Sequence, residues 1–145
     1  MDLRKLLQKV ETARVGSSEL DNEFVSTFRS APPHVTRSID AAVRLIEAEL
    51  PGWWWNCGYC KHRNGASLYV PGSSRIRVNF SGADESRPED LRLLQDPKWG
   101  TLFDSGFHCN RGRGTVPLAM LDVFLQAKIA MTLVQREASA KMLTR

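Results

Sequence analysis

Cysteine is scarce in this sequence, and long uninterrupted apolar runs are missing. Three cysteines in 145 residues is an odd count, which argues against the disulfide framework of a small secreted protein. Met1–Arg14 alternates charge with leucine and lacks the apolar core of a signal peptide. The most apolar stretch, Val116–Val134, contains Asp122, Gln126 and Lys128, which argues against a membrane span. These features predict a cytoplasmic protein without a membrane partner.

Motifs of known catalytic sites are missing as well. The sequence has no Gly-x-Ser-x-Gly nucleophile elbow, no His-Glu-x-x-His zinc motif and no phosphate-binding P-loop. Its acidic pairs, Asp84-Glu85 and Glu89-Asp90, stand in a polar segment, where a solvated surface explains them better than acid–base catalysis. We therefore expect a protein that binds a ligand without transforming it, and that needs no cofactor.

The composition is that of one ordinary globular domain with a mild positive charge. A length of 145 residues fits a single domain with its own core. The 20 basic residues outnumber the 16 acidic ones, and the net charge of +4 favours anionic partners, although a basic surface also serves solubility alone. Residues 1–30 are expected to hold N-terminal helices, and residues 34–142 to form the core of the fold.

Two helices are predicted at the start of the chain. Asp2–Ala13 places its leucines on one helical face and ends before Gly16. Ser17 or Ser18 then caps a second helix, because a serine hydroxyl accepts a hydrogen bond from the first free backbone amides. The segment Ala31-Pro32-Pro33-His34 stops this helix and forms a stiff connector.

The clearest helical period follows this connector, in Ser38–Leu50. Its apolar residues recur at i, i+4, i+7 and i+11, and they are Ile39, Val43, Ile46 and Leu50. This stripe predicts an amphipathic helix whose apolar face lies on the core.

Strands are predicted after this helix. They are Trp53–Cys60, Ser67–Val70 and Arg75–Phe80. The turn residues Arg63-Asn64-Gly65 and Pro71-Gly72-Ser73-Ser74 lie between them and predict antiparallel pairing. Trp99–Phe107 is a candidate fourth strand.

The last helix is predicted to run from Val116 to Met142, with Thr115 as its cap. It is apolar over much of its circumference, and one face of a domain does not cover that much surface. We therefore expect it to pack both inside its own domain and against another copy of the chain. Together the elements predict an α+β fold: a small antiparallel sheet of three or four strands sandwiched by helices, with a long C-terminal helix.

Two segments resemble the phage ABA-sandwich family, a group of phage and prophage proteins. In His34–Trp55 a Pro-rich stop and a Ser-led helix are followed by Leu-Pro-Gly-Trp-Trp-Trp. The second segment is Gly114-Thr115-Val116-Pro117-Leu118-Ala119-Met120. The resemblance implies a helix, a small antiparallel sheet and a closing helix, in a phage accessory protein. It does not extend to Ser81–Gly106, and it brings no catalytic residues.

The segment Trp55–Asn64 has the W-x-C-x₂-C-x₃-N spacing of half a zinc finger. A C-x₂-C turn offers two of the four ligands that tetrahedral zinc needs, here Cys57 and Cys60, but the second cysteine pair is missing. The remaining potential ligands are His62, His108 and Cys109. The alternative is that both cysteines are ordinary strand residues, and we expect no metal. A redox role is disfavoured, because it needs the first cysteine at the start of a helix.

The segment before the last helix has the composition of an anion-binding loop. In Cys109–Thr115, two glycines let backbone amides approach a ligand, two arginines suit a phosphate, and the helix start attracts negative charge. A strand with arginines on one face would add a second cationic wall, and aromatic rings would stack on a base. The predicted ligand-binding residues are Trp53, Tyr69, Arg75, Arg77, Asn79, Asn110, Arg111, Arg113 and Thr115. The alternative is a capping loop with solvated arginines and core tryptophans.

These observations support one leading hypothesis and two rivals. The leading hypothesis is a phage-encoded protein that sequesters an anionic small molecule, such as a cyclic nucleotide used as a host immune signal, and that forms a homo-oligomer through its C-terminal helix. A nucleic-acid-binding accessory protein would use the same arginines along a longer backbone, with steep salt dependence. A protein-interaction module would use the last helix or Ser81–Gly106 to block a host protein.

Overall fold

The computed structural model describes residues 2–60, 63–70, 106–111 and 114–143. Its helices are α1 (Leu3–Thr12), α2 (Ser18–Thr27), α3 (Ile39–Glu49) and α4 (Val116–Leu143). Its strands are β1 (Trp54–Cys60), β2 (Arg63–Tyr69) and β3 (Phe107–Arg111). The strands form an antiparallel sheet in the order β1-β2-β3, which confirms the predicted α+β fold.

The first three helices begin where their capping residues predict. The side chain of Asp2 accepts a hydrogen bond from the Arg4 amide at 2.9 Å. Ser17, of the two candidate serines, caps α2, and Ser38 caps α3, each by accepting from the amide three residues on. Each cap satisfies an amide that has no partner inside the helix, so the sequence predicts these boundaries to within a residue or two.

Half of the apolar stripe predicted for α3 is buried. Ile46 and Leu50 lie in the core as predicted, but Ile39 is 43% exposed and Val43 only partly buried, whereas Ala42 and Leu45, outside the predicted stripe, are fully buried. The small side chain of Ala42 lets the helix lie close to the core, so the buried face is centred on the side that carries the alanines. A pattern built on large apolar residues alone misses this choice.

The segment between α2 and α3 is held by a buried carboxylate. Asp21 is 1% exposed, and its side chain accepts hydrogen bonds from the Thr36 amide at 2.8 Å and from the Thr36 hydroxyl. The Arg37 guanidinium donates to the second oxygen of this carboxylate at 2.9 Å. The connector is thus attached to the first turn of α2.

Two sequence predictions about the sheet need correction. Arg63-Asn64-Gly65, predicted as a turn, lies inside β2, because Cys60 pairs with Arg63 and the chain reverses between those two residues. Asn64 is fixed there by donating from Nδ2 to the Gly114 carbonyl oxygen at 2.8 Å.

The second correction concerns the predicted loop Cys109–Thr115. Its first three residues belong to β3, which pairs with β2 from Phe107 to Arg111. Of the candidate strand Trp99–Phe107, residues 99–105 lie outside the described residues. The predicted strand Arg75–Phe80 also lies outside them.

The core lies between the sheet and the first half of α4. Leu68, Ala66 and Cys109 face α4 from the sheet, and apolar residues of α4 from Val116 to Ala127 are buried. The expected burial of the last helix inside its own domain is thereby confirmed. Val116–Leu133 is long and apolar enough to cross a membrane, but 61% of it is buried in the fold, as in the core helix of a globular protein.

Candidate functional site

The sheet has a buried face toward α4 and an outer face on the opposite side. Because side chains alternate along a strand, and directly paired residues share a face, the register defines rows of neighbours across the outer face. These rows are Trp54–Tyr69, Asn56–Ser67–His108 and Gly58–Gly65–Asn110, with Arg63 beyond them. The middle of the outer face is therefore polar, and it is open at the glycines.

Two glycines paired across the sheet create a groove on this face. Gly58 lies directly opposite Gly65, so neither strand places a side chain there. A methyl group added at Gly58 would meet nothing within 4 Å, and one added at Gly65 would lie 3.4 Å from the Cys109 carbonyl oxygen. The resulting groove, which we call the glycine groove, is shallow and open to solvent, has a volume of about 550 Å³ and has a floor of peptide backbone.

Polar side chains form the wall on one side of the glycine groove. The Ser67 hydroxyl and His108 Nδ1 are hydrogen-bonded at 2.9 Å, and the Tyr69 ring meets the His108 ring edge-on, with 5.5 Å between their centroids. These two contacts orient the imidazole at the groove. Asn56 and Asn110 are exposed beside it, and the exposed Arg63 places a positive charge at the far end.

A partly buried polar cluster lies beneath this face. Gln126, on α4, donates from Nε2 both to Asp122 and to the His108 carbonyl oxygen, the latter at 3.4 Å. Burial, followed by the negative charge and hydrogen bonding of Asp122, raises the pKa of the Cys109 thiol to about 12. Burial also raises the pKa of Cys57. Both thiols are therefore protonated and unreactive at neutral pH.

The half zinc-finger motif lies in an extended strand. Cys57 and Cys60 both belong to β1, where they cannot form the tight turn in which a C-x₂-C pair binds one metal ion. Within the part of the chain that the structure describes, no three His, Cys, Asp or Glu side chains gather as metal ligands. His62 lies outside the described residues.

The described residues among the predicted ligand-binding set do not come together at one site. Tyr69 and Asn110 are on the outer face, at the glycine groove or next to its polar wall. Trp53 is buried and stacks on Phe107, with ring centroids 6.2 Å apart, so it belongs to the core. Thr115 precedes α4 and accepts the Ala119 amide on its carbonyl oxygen, while its hydroxyl is buried without a hydrogen-bond partner.

Arg111 attaches α1 to the sheet. Its guanidinium donates to the carbonyl oxygens of Val10 at 3.1 Å, Glu11, and Ala13 at 3.4 Å. These carbonyls are at the end of α1, where a helix has no internal donors for them. The structure therefore gives Arg111 a structural role away from the glycine groove. The other predicted cationic residues, Arg75, Arg77 and Arg113, and also Asn79, lie outside the described residues.

The sequence analysis missed most of the residues that line the glycine groove. Asn56, Gly58, Gly65, Ser67 and His108 come together only through the strand register. The sequence does hold one indication of this pairing, because Gly58 is three residues before position 61 and Gly65 is three residues after position 62. A reversal assumed at those two positions would have placed Gly58 opposite Gly65.

Comparison with protein-family models, with curated proteins and with solved structures finds no match to this chain.

Proposed function

We propose that this protein is a non-catalytic binding protein for a nucleotide, which it holds in the glycine groove on the outer face of the sheet. The observation that carries the proposal is the backbone floor at Gly58 and Gly65, bordered by hydrogen-bonding side chains. A planar base would lie on this floor, and its phosphate would lie toward Arg63. The groove volume of about 550 Å³ is in the range of small-molecule sites.

The chemistry of the groove suits a heteroaromatic ring. Asn56 and Asn110 carry both donors and acceptors, so they complement the mixed edge of a base. The Ser67–His108 pair adds a fixed polar group, and Arg63 is a guanidinium that can bind a phosphate through two hydrogen bonds. The net charge of +4 also favours an anionic ligand.

The titratable residues at and beneath the glycine groove favour binding without catalysis. His108 is the one histidine at the groove among the described residues, and the buried thiol of Cys109 is protonated because its pKa is raised to about 12. Asp122 lies beneath the sheet and its carboxylate is bonded to Gln126, so it does not reach the groove. Sequestration of a host signal nucleotide, the leading hypothesis from the sequence, needs tight binding and no catalysis.

The proposal is tested by filling the groove. We expect Gly58→Val to weaken binding of AMP and cyclic AMP by at least ~10-fold in isothermal titration calorimetry, the cost of about 1.4 kcal/mol of lost contact. Val25→Thr is the control, because Val25 is 45% exposed on α2 and does not line the groove. Val25→Thr should bind like the wild type. Equal losses in both variants, or no detectable binding by the wild-type protein, would contradict the proposal.

The position of the phosphate is tested separately. Arg63→Ala should weaken the binding of AMP by several-fold and leave adenosine, which has no phosphate, unaffected. Raising the salt concentration should cost a mononucleotide little affinity, because a single phosphate is neutralised. A loss of several decades would instead identify a nucleic-acid site. If no nucleotide or nucleic acid binds, the protein-interaction reading replaces both.

A further inference from the structure

A second groove lies between the start of α1 and the second half of α4. α1 runs antiparallel to α4, because its last carbonyls meet Arg111 near the start of α4 while its first residues meet Ile129–Arg136. The groove encloses about 570 Å³. It is lined by Asp2, Leu3, Arg4, Ile129, Thr132, Leu133 and Arg136, and we call it the basic groove.

The basic groove combines an apolar floor with a positive rim. Leu133 is 43% exposed, and Leu3 and Ile129 are only partly covered. Arg4 and Arg136 are exposed on either side, and neither forms an ion pair among the described residues. The carboxylate of Asp2 is engaged in accepting the Arg4 amide at 2.9 Å. A segment that fits here needs apolar side chains flanked by negative charges.

A surface of that kind is present on α3. Ile39 is 43% exposed although it is a large apolar residue, and Val43, one turn later, is only partly covered. Asp40 and Glu47 flank these two residues on the exposed side of the helix, where Arg44 is also exposed. We call this set the acidic stripe. It lies on the opposite side of the helix from the buried Ala41 and Leu45, although Val43 also packs against the core.

We propose that the acidic stripe of one copy docks in the basic groove of a second copy. Ile39 and Val43 would contact Leu3, Ile129 and Leu133. Asp40 and Glu47 would pair with Arg4 and Arg136. With Arg44 and Asp2 counted, the stripe still has more acidic than basic side chains and the groove more basic than acidic ones, so the two surfaces are opposite in net charge. A second copy is the occupant favoured by the structure, because the complementary surface is on this same chain.

The interface joins different surfaces of the two copies, so it is heterologous. Such contacts continue from copy to copy, and they produce a closed ring or an open chain according to the rotation between neighbours. A groove of about 570 Å³ offers a small contact area, and small interfaces are characteristic of weak, transient association. We therefore expect self-association that depends on concentration and weakens at high salt, since the flanking charges are exposed.

Charge reversal with sedimentation velocity tests this interface. In the wild-type chain, the mean mass should rise above 16.3 kDa with concentration. Each of two double variants, Arg4→Glu/Arg136→Glu and Asp40→Lys/Glu47→Lys, should reduce the affinity of self-association by at least ~10-fold, because like charges then face each other across the interface. Both should be monomeric at concentrations where the wild type associates. An equimolar mixture of the two variants should associate again.

Controls separate this result from effects of net charge and folding. Lys5→Glu/Arg14→Glu reverses two exposed basic residues that do not line the groove, and it should associate like the wild type. Circular dichroism should give the same helix content for every variant, because all the substituted side chains are exposed. A wild-type protein that stays at 16.3 kDa overturns the proposal, and so does a mixture of the charge-reversed variants that fails to associate.

Discussion

Arg111 is the residue whose structural role is most directly testable. Arg111→Met keeps the apolar stem of the side chain and removes the donors that reach Val10, Glu11 and Ala13. Hydrogen bonds to charged groups contribute about 1.5–3 kcal/mol when buried, but Glu11 and part of Arg111 are exposed to solvent, which screens them. We therefore expect the whole set to contribute about 2 kcal/mol to the free energy of unfolding.

Urea denaturation provides the measurement. Arg111→Met should lower the free energy of unfolding by about 2 kcal/mol and Tm by ~4–8 °C, without a large change in the denaturant slope. Arg111→Lys keeps the charge but presents one ammonium group in place of a planar fork, and should recover only about half of that loss. Hydrogen exchange should show the amides of α1 opening first. An unchanged stability in Arg111→Met would refute the structural role, and a selective loss of nucleotide binding would restore the original anion-loop interpretation.

Three further predictions concern single residues. Gly58→Val should raise the free energy of unfolding by ~0.5–1 kcal/mol in thermal denaturation, because glycine destabilises the interior of a strand and a Cβ added at Gly58 meets no neighbouring atom. This variant should therefore be more stable than the wild type although it binds nucleotide more weakly. Asp21→Ala should lower it by about 3 kcal/mol in urea, because the buried Thr36 amide and hydroxyl lose their acceptor, while Asp40→Ala, on an exposed carboxylate, should cost far less. Between pH 9 and 11, the free energy of unfolding of the wild type should fall more steeply with pH than that of Cys109→Ala, because the thiol has its ordinary pKa of 9.0 in the unfolded chain and a pKa of about 12 in the folded chain. The two slopes should differ by close to ~1.4 kcal/mol per pH unit, and parallel curves would contradict the prediction.

Local chemistry made the helices predictable from the sequence. Asp2, Ser17 and Ser38 cap α1, α2 and α3 through contacts between neighbours in the chain, and such contacts are visible in a sequence. The direction in which Ile39 points was not predictable in the same way, because it depends on how closely Ala42 approaches the rest of the core.

The candidate site was less predictable, because it depends on pairing across strands. Asn64 and Gly65 favour a turn in isolation, but in the fold Asn64 bonds to Gly114, fifty residues later, and Gly65 lies opposite Gly58. Likewise Arg111 suits a phosphate by its chemistry, but here its donors are used by α1. A position one residue away, Asn110, lies on the opposite face because of strand alternation. A register error therefore moves the whole site.

The contact between α1 and α4 also has a consequence for the order of events during synthesis. α1 has 10 residues, too few for a stable isolated helix in water, and its apolar Leu6 and Val10 pack on a helix that begins more than a hundred residues later. During translation, α1 therefore leaves the ribosome long before its partner exists. Its apolar face stays exposed until α4 emerges, and its docking is expected to be a late step of folding. α1 is thus open to proteases and chaperones throughout the synthesis of the residues between it and α4.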